Sequence, residues 1–258
     1  MSVLAQLGAC LRDGRVQMID LTAPLSEATP IIQLPPERGQ PRPFSRELIS
    51  KYDEAGPTVY WNNIRLSEHT GTHFDAPIHW LSGKHLDDVS QVPARRLIGP
   101  AVVIDLSADA EDPNFLLERE HVERWCTKHG PLPEGGWLLY RTGWERRSGD
   151  PGAFLNAGQT PGVSPRCAQW LAEQTSLIGI GVETVGTDAG MAGQLDPPYP
   201  CHWFFHGANK YGLTQLRNLA QLPEAGAWVI AAPLPIVGGS GSPARVLALV
   251  ERRVTASG

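Results

Sequence analysis

The sequence predicts an α/β fold, a mixed layered domain, and three observations carry that expectation. Short apolar, β-branched runs recur along the chain, and two helices with clear start signals fall among them. The 258 residues also include 27 glycines and 23 prolines, with only 19% charged residues. Strands interleaved with a few helices pack as layers of sheet and helix. A Gly/Pro excess without high charge points to shaped loops rather than disorder. The length suits one domain over residues 1–258, with a core that needs no disulfide staples.

From the N-terminus, the stretch before Gly14 has a weak helical period and reads as a short helix, not as a signal peptide. Met18–Leu21 is the first strand candidate. The next segment, Pro24 to Pro57, carries six prolines between Pro24 and Pro43 and reads as one long loop, a lid or a binding wall. Tyr60–Leu66, Ala101–Leu106, Trp137–Arg141, Leu177–Val182, Trp228–Ala232 and Val246–Val250 follow as strands. One helix is expected after Asp112-Pro113-Asn114, with Phe115, Leu116, His121, Val122 and Trp125 on one face, ending at Gly130-Pro131. The other has Ser164 as N-cap and Pro165 in its first turn. The glycines of Gly238-Gly239-Ser240-Gly241 read as a turn, because no lysine follows to make a phosphate loop.

Charge and cysteine usage exclude several roles. A net charge of −5 offers no basic footprint for nucleic acid. The longest uncharged stretch, Ala225 to Ala244, is broken by Pro233, Pro235 and Pro243 and cannot be a membrane-spanning helix. The four cysteines, at 10, 126, 167 and 201, form no CxxC pair; they read as reduced thiols of a cytoplasmic protein.

Chemistry concentrates in EHTGTHFDAPIHWLSGKH, where His69, His73, Asp75 and His79 fall within eleven residues. Gly71 and Pro77 argue against a helix. As a strand continuing from Ile64 and Leu66, period two places His69, Gly71, His73 and Asp75 on one face, opposite Glu68, Thr70, Thr72 and Phe74. Imidazoles and a carboxylate sharing a face suit Zn²⁺ or Mn²⁺. Strand residues four apart have Cα atoms about 13 Å apart, so His69 and His73 reach one ion only if the chain bends, and Gly71 is where it can.

That string resembles the HxGTHxDxPxH motif of the metal-dependent cyclase-like hydrolases, a family that includes bacterial kynurenine formamidases and isatin hydrolases. The resemblance extends over most of the chain: MIDLTAPLSEATP is similar to the family's opening strand, LLYRTGW to its central strand and PLPIVGGSGSPARVLALV to its C-terminal strand pair. IGVETVGTD is similar to a further segment, with Glu183 in place of Asp. HTGTHFDAPIHW and HGANKYGLTQLRNLAQLP look most similar to the isatin hydrolase branch.

The resemblance implies a three-layer β/β/α (swivelling-type) domain with a barrel-like mixed sheet and the metal near one end. It implies His69, His73 and Asp75 as ligands of one divalent ion, Mn²⁺ favoured and Zn²⁺ possible, with His79 as proton donor and acceptor. It further implies a homodimer or higher homo-oligomer acting on a small aromatic amide, most simply isatin opened to isatinate, with N-formylkynurenine hydrolysis as the alternative. The formamidases' second-metal glutamate is matched by Arg217, and His202, His206 and Gln215 are the nearby candidates for the site. The formamidases' first-loop Trp is also missing, so Trp80 or Trp61 would supply an aromatic wall. Asp188 stands either behind a histidine or in a turn. Two other classes fit the motif: a non-haem Fe(II) oxygenase using His73, Asp75 and a distal histidine, and a non-catalytic metal-binding protein.

Overall fold

The computed structural model describes residues 2–252; residues 1 and 253–258 of the expected 1–258 domain lie outside the described residues. Twelve strands are described: β1 Val16–Asp20, β2 Ser45–Asp53, β3 Gly56–Arg65, β4 His73–Asp75, β5 Ile98–Asp105, β6 Leu116–Leu117, β7 Trp137–Arg141, β8 Gly162–Val163, β9 Gly179–Val182, β10 Tyr211–Thr214, β11 Ala225–Pro233 and β12 Gly241–Glu251. The α-helices are α1 Val3–Arg12, α2 Arg119–His129, α3 Pro151–Leu155 and α4 Pro165–Glu173.

The main sheet runs β1-β12-β11-β5-β7-β9-β10-β4, and β4 also pairs with β12, so seven strands close on themselves with β1 appended. The three residues of β4 close this barrel: His73, Phe74 and Asp75 pair antiparallel with Thr214, Leu213 and Gly212 on one side and with Pro243, Ser242 and Gly241 on the other. Closure removes the unpaired edges that an open sheet would leave.

Alternation along the strands separates two cores. Ala101, Val103, Trp137, Leu139, Leu213, Val229 and Val246 fill the barrel with Phe74, whose ring lies 4.9 Å from that of Tyr211. Val102, Ile104, Leu138, Tyr140, Ile180 and Val182 face outward under α2 and α4, meeting Val122, Trp125, Cys167 and Leu171. The strands β5, β7 and β9 are therefore apolar on both faces, as parallel strands covered by helices are. The far wall is open: Trp228 on β11 is 49% exposed. Sheet, sheet and helix make the three layers that the family resemblance implies.

Local signals explain the helices. Ser164 accepts from the Cys167 N–H at 3.3 Å with Pro165 in the first turn, as read from the sequence. The other helix starts later than expected. Leu116 and Leu117 form the short parallel strand β6 beside Gly162 and Val163, and the helix opens at Arg119 through a capping box of Glu118 and His121. The expected loop over 24–57 is also corrected, because Ser45–Asp53 and Gly56–Arg65 pair as a long antiparallel arm. Most of the arm's residues are exposed on both faces, so no period-two pattern announced β2. No helix among the described residues is long and apolar enough to cross a membrane.

Candidate metal centre and active site

Phe74 occupies the barrel interior, so His73 and Asp75 must point outward. Opposite them on β10, Gly212 leaves room for Asp75: a Cβ there would sit 2.8 Å from Asp75 Oδ2. The expected continuous strand from Ile64 to Asp75 is not what forms. The chain leaves β3 at Arg65, turns through residues 67–72 and re-enters the sheet at His73. Gly71 has φ +67°, and a Cβ there would meet Leu25 at 2.6 Å, so the bend that the spacing demands falls at that glycine. It brings His69 Nδ1 to 2.8 Å from Asp75 Oδ1, while His73 Nε2 lies 3.2 Å from the same oxygen.

The short helical segment His202–His206 lies across this face. Two groups of donor atoms lie within 4.8 Å of one another: His69, Asp75 and His79, and Asp75, His202 and His206. Asp75 is common to both and is 1% exposed. Burial raises its pKa, but His73 and His69 overcome that and hold its carboxyl well below the usual carboxylate range.

Four imidazoles each spend one ring nitrogen on an anchor. His69 Nε2 meets Ser240 Oγ at 2.8 Å, His73 Nδ1 meets the Gly71 carbonyl at 2.8 Å, and His206 Nδ1 meets the Lys210 carbonyl at 3.2 Å. His202 Nδ1 meets the Asp188 carboxylate, which also accepts the N–H groups of Cys201 and His202. Of the two roles open to Asp188, the structure gives it the place behind a histidine. Burial depresses His202, but Asp188 outweighs this and its pKa is raised. Burial, then the nearby His202, pulls His206 down to about 4. Its Nε2 is buried with no partner among the described residues. A buried carboxylate ringed by imidazole nitrogens, one of them orphaned, fits a divalent cation held by nitrogen and oxygen donors.

The His79 ring stacks on His69 with centroids 3.9 Å apart, and no described hydrogen bond anchors it. Burial, followed by the neighbouring His69, pushes its pKa well below the ordinary 6.5. Trp80 packs against His202 at 4.7 Å and Tyr199 at 5.3 Å, forming an aromatic wall. Two sequence candidates are not brought to the cluster within this chain. Trp61 sits on β3 of the arm, 56% exposed. Gln215 is turned to the Pro30 carbonyl in a cavity of about 110 Å³ lined by Thr29, Glu145, Glu183 and Arg217. Sequence reasoning missed Thr214, whose hydroxyl is 2.8 Å from His73 Nδ1, and Tyr199. Both come from far along the chain, without a local motif.

A closed mixed barrel carrying imidazoles and a buried carboxylate on its outer wall defines a protein with a candidate metal site. The chain belongs to the cyclase family: the family described as "Putative cyclase" matches residues 19–189. An isatin hydrolase from Roseibium aggregatum is 45% identical, covering 97% of this chain and 98% of that enzyme. A kynurenine formamidase from Salinibacter ruber is 31% identical, covering 77% of this chain and 84% of that enzyme. The crystal structure of an isatin hydrolase bound to the product analogue thioisatinate superposes with a TM-score of 0.94 at 43% identity, covering 98% of this chain and 100% of the other.

Proposed function

We propose that this chain hydrolyses isatin to isatinate. The observation that carries the reading is the similarity, over 98% of the chain, to the enzyme holding thioisatinate. The relatives are hydrolases, which leaves the oxygenase and the non-catalytic readings without support.

We assign His69, His73 and Asp75 as ligands of one divalent ion, Mn²⁺ before Zn²⁺. The converging groups contain His69 and Asp75 but not His73, whose Nε2 stands 3.2 Å from the same Asp75 oxygen, and no thiolate is among these donors to select a softer metal. When bound, such an ion acidifies water to near neutrality and polarises a carbonyl. Burial favours the neutral form of His79, and no described hydrogen bond anchors its ring, as suits a base at this position. It takes the proton of the water attacking the amide carbonyl and returns it to the departing nitrogen, as the C–N bond breaks and a C–O bond forms. Trp80 and Tyr199 offer ring faces to a flat bicyclic substrate. His202 and His206 face the same space, and Asp188 orients His202.

We further propose that the whole chain acts as one domain of a cytoplasmic homo-oligomer. The arm supports this: Leu48, Tyr60, Trp61 and Ile64 are exposed on it, and an uncovered two-stranded hairpin is marginal in water. Free cysteines agree with a reducing compartment.

The test is turnover of isatin and of N-formylkynurenine, in parallel, by Mn²⁺-loaded and Zn²⁺-loaded protein. Metal-dependent loss of isatin alone is expected. Loss of the formamide alone would overturn isatin in favour of formamidase activity, and inactivity in both would overturn the substrate class.

A further inference from the structure

The turn between β11 and β12, unremarkable as sequence, wraps the side chain of His69. Ser240 Oγ lies 2.8 Å from His69 Nε2 and 2.7 Å from Oε2 of Glu68, which also accepts the Ser240 N–H at 3.1 Å. The neighbouring glycines leave the necessary room. A Cβ on Gly241 would stand 2.6 Å from His69 Cε1, and one on Gly239 would stand 3.0 Å from Glu68 Oε1.

Donors and acceptors along this chain of groups can be assigned. A carboxylate only accepts, and a hydroxyl has one hydrogen. Ser240 gives its hydrogen to Glu68, so toward His69 it accepts, and Nε2 must carry the imidazole hydrogen. In the neutral ring the Nδ1 lone pair then faces Asp75 Oδ1 at 2.8 Å, a contact that is satisfied by a second ring proton in the metal-free protein and by a cation bound to both atoms in the loaded one. His73 is set the other way: Nδ1 donates to the Gly71 carbonyl, the Thr214 hydroxyl lies 2.8 Å from Nδ1 and 3.1 Å from Nε2, and the neutral ring keeps its lone pair on Nε2. Each tautomer is fixed by the partner on the far side of the ring, as is usual for metal-ligating histidines.

We propose that Glu68 and Ser240 are positioning residues that hold His69 as its Nε2–H tautomer, so that it binds the divalent ion through Nδ1 while His73 binds through Nε2. This rests on the metal site of the proposed function and adds how its first histidine is prepared. The carboxylate behind the hydroxyl also makes the imidazole a better electron donor to the ion.

Two measurements test it. In chelator competition with Mn²⁺ and Zn²⁺, Ser240→Ala should weaken binding roughly 10- to 100-fold. Glu68→Gln should weaken it less, and Ser240→Thr, which keeps the hydroxyl, should lose less than the roughly 10-fold lower bound expected for Ser240→Ala. In Zn²⁺-loaded protein with ¹⁵N-labelled histidine, His69 should show a protonated Nε2 and a coordinated Nδ1, and His73 the reverse. The NMR assignment is made on wild type and stands even if Ser240→Ala fails to fold. Wild-type affinity in folded Ser240→Ala, or coordination of His69 through Nε2, overturns the proposal and leaves the metal site intact. Wild-type protein that binds neither ion overturns the metal site itself, and this proposal with it.

Discussion

The five imidazoles around Asp75 are the same residue type with different tasks, and each task is set by what lies behind the ring. Ser240, the Gly71 carbonyl, Asp188 and the Lys210 carbonyl anchor four of them, whereas His79 has only the stack on His69. His79 can therefore move a proton without breaking an anchor. His79→Ala should lower kcat/KM for isatin by about 10²–10⁴-fold while leaving metal affinity within a few-fold. Near wild-type kcat/KM with metal bound would remove His79 from the chemistry. The pH profile follows from the direction of its shift. The base form is required and its pKa is pushed well below 6.5, so kcat/KM should be flat above that pH and fall only on the acid side of it. An acid limb above pH 6.5 that survives in His79→Ala would assign the titration to another group.

At the scale of elements, β4 does two jobs with three residues. Phe74 plugs the barrel, and its two neighbours carry a proposed ligand each, so barrel stability and site geometry depend on one strand. Phe74→Ala should cost about 3–5 kcal/mol in urea unfolding, the range for truncating a buried aromatic. It should also weaken metal binding, because register and outward projection of His73 and Asp75 depend on that plug. A loss of stability with unchanged metal affinity would separate the two jobs. The runs Ala101–Leu106 and Trp137–Arg141 were legible as strands because packing covers them and selects apolar side chains. Tyr211–Thr214 was not, being four residues long with a glycine at the position that clears Asp75. The arm strand β2 was not either, since solvent on both faces leaves no alternation to read.

For the whole molecule, the proposed assembly through the arm and the proposed metal site each carry a prediction. The joint substitution Trp61→Lys and Ile64→Lys should convert the proposed oligomer to monomer in sedimentation velocity, since two charges in place of apolar side chains oppose burial of the arm. An unchanged sedimentation coefficient at oligomer mass would move the interface elsewhere. Chelation should lower Tm reversibly. An ion that binds only the folded state at 100 times its Kd adds about 2.7 kcal/mol. A Tm indifferent to chelator and to restored ion would mean that the site contributes nothing to folding.

The sequence by itself determined the layered α/β class, the helix start at Ser164, the cluster from His69 to His79 and the need for a bend at Gly71. These are local properties, written in periodicity, capping and spacing within a dozen residues. Only the tertiary structure decided which distant groups stand behind those side chains. Ser240 reaches His69 across 171 positions and Thr214 reaches His73 across 141. It also decided that Trp61 and Gln215 lie apart from the imidazoles of their own chain while Trp80 and Tyr199 stand beside them. Barrel closure through β4 is what makes these meetings, because it joins strands remote in sequence, and pairing between remote strands leaves no periodic trace in either of them.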